Sequence, residues 1–124
     1  MSLGQYQNVP QTGTVTIANG TSLSGALDLH GCSLVAIQMP AAWTAATLTF
    51  QGSNDGTTYG DVYDDSGTEL SFTVAVSRYV VFDRDTKDNL SGIRWIKVRS
   101  DPSAAPTAQG DDRVLTLVAR SARR

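Results

Sequence analysis

The chain has little with which to do covalent or redox chemistry: one cysteine, one histidine and one glutamate among 124 residues. Cys32 has no second thiol to pair with, so an internal disulfide, a CxxC redox pair and a cysteine-built zinc site are excluded. No apolar run reaches the roughly 18 residues that a membrane-spanning helix needs. The opening MSLGQYQNVPQTG lacks both a basic start and an apolar stretch, so no export signal is expected. Neither GxxxxGK nor GxGxxG occurs, and GTTYGD lacks the basic residue of a phosphate-cradling loop. Lysine and arginine are missing from residues 1–77, which carry a charge of −6, while residues 78–124 carry +4, giving the net −2. With a pI near 5.1 and no dense basic patch beyond the Arg120 to Arg124 tail, nucleic acid is not an expected partner.

What is present is apolar material for one core: 40% hydrophobic residues and 18% charged, with 11 glycines. Short runs rich in Val, Ile, Thr, Phe and Tyr recur between Gly, Asn, Asp, Ser and Pro, the pattern of an all-β chain. Strands are expected at 12–18, 24–29, 33–39, 46–52, 60–63, 69–75, 78–82, 93–99 and 113–120, making a sandwich of about 8–9 antiparallel strands. Leu48 and Phe50 alternate with Thr47, Thr49 and Gln51, so the first pair faces inward and the polar three outward. Pro40 and Thr44 make PAAWTAA a loop or single turn rather than a helix. Residues 1–11 are expected as a flexible N-terminal arm, 12–120 as the sandwich domain and 121–124 as a basic C-terminal tail. The stretch 100–112, with two prolines between strong strands, is expected as a long loop.

Candidate chemistry is sparse. His30 and Cys32 are separated by Gly31, which suits a turn between strands, and no third group orients them as a catalytic dyad. Asp55, Asp61, Asp64 and Asp65 offer the oxygen ligands that calcium prefers, but not in EF-hand spacing, and Asp in Gly-containing turns also serves the backbone. No enzymatic activity, metal or other cofactor is expected. Trp43 lies in a connection, either exposed for stacking on a sugar or plugging a neighbouring subunit, or folded over the end of the core. Alternation in the strand 93–99 puts Trp95, Lys97 and Arg99 on one face, with Trp95 either under the basic stems at the sandwich edge or at the centre of a partner-binding patch.

The segment Leu48 to Tyr63, LTFQGSNDGTTYGDVY, resembles the hairpin of discoidin-type, galactose-binding-like jelly rolls, in which a strand ends in Ser-x-Asp-Gly and an aromatic follows three residues later. Those positions are Ser53, Asp55, Gly56 and Tyr59, a structural turn. IRWIKV at 93–98 is similar to the Arg-aromatic-aliphatic strand of the same family, and Leu115 to Val118 to its closing strand. The resemblance implies a jelly-roll β-sandwich, without that family's usual cysteine pair or a clear set of sugar-contacting residues.

The Gly/Ser/Thr/Ala-rich style of TVTIANGTSLSGALDL and of LVAIQMPAAWTAATLTFQGSNDGTTYGDVYDDSGTEL resembles small structural proteins of tailed phages and prophages. That resemblance implies a virion component made in the host cytoplasm: a capsid decoration, head-fibre or tail-associated protein. It would act through self-association or contacts with other virion proteins, with the arm 1–11 or the loop 100–112 gaining order on assembly. The alternative is a carbohydrate-binding module using Trp43 as its platform. Trp43, Trp95, Lys97 and Arg99 are the candidate contacts for partner or surface carbohydrate.

Overall fold

The computed structural model describes residues 10–83 and 90–121; most of the expected arm (1–9) and most of the expected tail (122–124) lie outside the described residues. Eight strands follow in order: β1 (Gln11–Ile17), β2 (Leu27–Asp28), β3 (Cys32–Gln38), β4 (Leu48–Ser53), β5 (Gly60–Asp61), β6 (Tyr79–Val81), β7 (Trp95–Ser100) and β8 (Arg113–Ser121). They form two antiparallel sheets of four strands, in the orders β1-β8-β3-β6 and β2-β7-β4-β5. Strand 1 pairs with 8, 2 with 7, 3 with 6 and 4 with 5. This is the pairing of one long hairpin rolled into two layers, a jelly roll.

Alternation explains the layering. Leu115 and Leu117 of β8, Leu34 and Ile37 of β3, Leu48 and Phe50 of β4, and Ile96 and Val98 of β7 are fully buried between the sheets. A register shift between Leu34 and Ala36 lets β3 keep both Leu34 and Ile37 in the core. Phe72 and Phe82 stack at 4.7 Å, and Phe50 meets Phe72 at 5.4 Å, closing the core on the β5 and β6 side.

Two expected strands differ in the structure. The segment 69–75 is no continuous strand: Phe72 exchanges backbone hydrogen bonds with Leu48 at 2.9 and 3.0 Å, and Leu70 N–H donates to Val62. The reason is competition for one edge, since β5 already occupies β4 at Gln51 and Gly52 and leaves only Leu48 for Phe72. The expected strand 24–29 shrinks to Leu27–Asp28, because Ser24 takes over the ladder beside Val98 with its hydroxyl. Leu29 to Cys32 is a tight turn with His30 at φ 52° and Gly31 at φ 82°, the signs that a type I′ turn requires. The PAAWTAA connection contains no helix.

The loop 100–112 is fastened within the chain itself. Asp101 accepts from Thr47 N–H and from the Thr107 hydroxyl, while Gln109 accepts from Thr44 N–H and donates back to Thr44 O. Ser100 donates to Thr107 O, and Gln109 is buried. The expected long loop is present, and it carries its own internal hydrogen bonds. The side chains of Ser100, Asp101, Thr107 and Gln109 tie the loop down.

Candidate functional site

The outer face of the β2-β7-β4-β5 sheet gathers most of the residues singled out in the sequence. Thr49 lies directly opposite Arg99, Gln51 opposite Lys97 and Ser53 opposite Trp95, so Trp95, Lys97 and Arg99 do share one face. The turn after β4 folds back over that face. Ser53 Oγ accepts from the Asp55 and Gly56 amides, and Asp55 Oδ1 accepts from Thr57 and Thr58 N–H at 2.8 Å. These amide bonds, first from Thr58 and then Thr57, pull the Asp55 carboxyl down to about 2. Gly56 sits at φ 77° with its backbone against the Trp95 ring, where a Cβ would stand 3.2 Å from Cε2.

Trp95 thus packs against the Gly56 turn and also carries the Arg94 guanidinium, 4.4 Å from the ring centroid. Arg94 also grips both oxygens of Asp28 at 3.1 Å. That grip holds the Asp28 carboxyl below its ordinary value. Lys97 Nζ lies 4.2 Å from the Tyr59 ring centroid.

Arg99 is the most deeply placed of the set. Its side chain is 7% exposed, with Nε donating to Thr49 Oγ1, one terminal nitrogen to Asp61 at 2.8 Å and the other to Glu69 at 2.7 Å. The hydrogen bond from Arg99 lowers the Asp61 carboxyl. Glu69 in turn accepts from Ser103 N–H at 3.2 Å. Arg99 is therefore a brace joining β7, β4, β5, the 69–72 segment and the 100–112 loop, rather than a surface contact. Thr49 faces away from the core as the alternation requires, yet it is fully buried under this brace. Three acids from residues 1–77, Asp28, Asp61 and Glu69, meet Arg94 and Arg99 from residues 78–124.

Trp43 is separate from this face, at the end of the sandwich where β3 leaves for β4. It is half-buried against the core, and its indole N–H donates to Ala46 O at 3.2 Å. Tyr63 is the more accessible aromatic, 51% exposed. It borders an open cleft of about 430 Å³ whose lining includes Ser53, Asn54, Thr58, Asp61 and Ile93. Three of the four acids of the 55–65 stretch serve the chain: Asp64 Oδ1 accepts from Ser66 and Thr68 N–H, Asp55 caps its own turn, and Asp61 holds Arg99. Among the described residues no three metal-ligating side chains converge.

Sequence pattern places Thr49 outward and offers Asp61 as a calcium ligand, but it does not foresee that both, with Glu69, hold the Arg99 guanidinium. Glu69, the only glutamate, was the one available signal, but its partner lies 30 residues away on another strand.

No known family model matches the chain, and no curated protein sequence matches it. Among solved structures, the SPBc2 prophage-derived protein YomS shares the architecture, with a TM-score of 0.51 over 90% of this chain and 95% of that one. Identity is 13%, so the likeness is one of fold; it does not establish the discoidin-type relation suggested by the 48–63 hairpin.

Proposed function

We propose that this protein is a non-catalytic structural component of a phage or prophage particle, a capsid decoration, head-fibre or tail-associated protein that works through subunit contacts. The observation that carries this reading is the sandwich shared, nearly end to end, with a prophage-derived protein. The sequence style of the chain agrees with it. Two further features fit a part that is built in rather than one that turns over substrate. The charged groups of the candidate face hold one another, Arg99 with Asp61 and Glu69 and Arg94 with Asp28. The 100–112 end is stitched by internal hydrogen bonds.

Deleting the gene from the phage or prophage that carries it tests this reading. Purified particles from the deletion should lack peptides of this chain that are present in the parent and regain them on complementation. Particles of identical composition with and without the gene overturn it.

A second reading, surface carbohydrate binding, is favoured by one observation: the exposed Tyr63 beside a cleft with hydroxyl, amide and carboxylate groups. Trp43 is too committed to the core to be its platform. On this reading Tyr63→Ala abolishes binding on a glycan array. Trp43→Ala lowers thermal stability, by up to about 3 kcal/mol, and leaves any sugar binding in place.

A further inference from the structure

The two sheets end differently. Beside β5, the chain covers its own edge through the bonds of Leu70 to Val62 and of Phe72 to Leu48. The other sheet ends in β6, whose strand neighbour is β3. The ladder between them fixes which way the β6 backbone points. Met39 N–H donates to Arg78 O at 2.7 Å and Phe82 N–H to Val35 O at 3.0 Å. Antiparallel pairs alternate, so residues 78, 80 and 82 face β3, and Tyr79 and Val81 turn their N–H and C=O groups outward. Among the described residues no backbone group bonds to these outward groups. Their side chains are exposed too, Tyr79 at 61% and Val81 at 75%, while Val80 packs against the core.

We propose that β6 is a self-association edge: two copies pair β6 to β6, antiparallel about a two-fold axis, and join their four-stranded sheets into one continuous sheet. The alternation sets the register. A two-fold axis makes one residue face its own copy, and Val80 facing Val80 of the second copy places Tyr79 opposite Val81 of the second copy on either side. Each such pair exchanges both of its N–H···O bonds and sets an aromatic side chain against a β-branched one, a favourable cross-strand combination.

A second copy fits this edge because the stretch Tyr79-Val80-Val81 is uncharged and complementary to itself. It carries no lysine, proline or bulge within it to block pairing. The contact is short, below the roughly 1,000 Å² of a stable interface, so it is weak between free chains and gains strength where many copies share one surface. Its setting rests on the particle reading above, but the pairing is a property of the isolated protein.

Sedimentation velocity from micromolar to millimolar concentration, with amide exchange by NMR, tests it. The expected result is a concentration-dependent dimer in which the Tyr79 and Val81 amides gain protection as concentration rises, while Val80 and Phe82 are protected throughout. Val81→Lys, at an exposed position, should weaken association at least tenfold. Val81→Pro, which removes one outward N–H, should do the same if the lysine variant folds poorly. A monomer up to millimolar concentration, a dimer indifferent to both substitutions, or free exchange of Tyr79 and Val81 in the dimer overturns the proposal. A β6 dimer from a chain missing in particles leaves the edge standing and removes the particle reading; a chain present in particles but strictly monomeric does the reverse.

Discussion

Arg99 holds several separate stretches of chain together with one buried guanidinium. Its partners differ in cover, Glu69 at 13% side-chain exposure and Asp61 at 33%, so removal of the cation leaves the Glu69 carboxylate largely buried without its counter-charge. Arg99→Leu should therefore cost about 3 kcal/mol, seen as a lower urea midpoint at unchanged slope, and adding Glu69→Gln should recover part of that loss. Asp55 makes a different prediction. Its folded value of about 2 lies below the ordinary 3.8, so its contribution is complete above 3.8 and disappears as pH falls through 2. Thermal melts between pH 5 and pH 2 should fall less steeply for Asp55→Asn than for the parent, from a lower starting stability. The Ser-x-Asp-Gly turn was legible because each residue in it answers a local backbone need. The Arg99 brace was not legible, since parity places the arginine on a face but says nothing about which distant loops cover it.

At the scale of elements, strand existence followed from alternation, and strand extent followed from competition for partners. The 33–39, 46–52, 93–99 and 113–120 runs became long paired strands because each has a neighbour along its length. The 69–75 run has the same composition but pairs only in isolated bridges, Glu69 with Tyr63 and Phe72 with Leu48, which no local pattern reveals. Ser24 shows the converse, a side chain standing in for missing strand: its hydroxyl accepts from Val98 N–H at 2.9 Å in a buried setting. Ser24→Ala leaves that amide without its acceptor and should cost about 1–3 kcal/mol, with faster exchange at Val98 as the local signature. An alanine variant as stable as the parent would show that the ladder there closes in another way.

For the molecule as a whole, the pairing of first strand with last and second with seventh makes the sandwich a single cooperative unit whose two faces are treated differently. The outer face of one sheet is roofed by the 53–59 turn and the Arg99 brace, and the other sheet ends in β6 with Tyr79 and Val81 exposed. All-β architecture was legible from strand and turn chemistry, whereas the role of each face depends on contacts made far apart in sequence. The function proposed above makes this chain a stoichiometric part of a phage particle. The most direct measurement is absolute quantification of its peptides against the major capsid subunit in gradient-purified particles, using isotope-labelled standards through successive purifications. A copy ratio that stays fixed from one gradient to the next is the predicted result. A trace amount that declines with each purification, although the protein is well expressed, would contradict it.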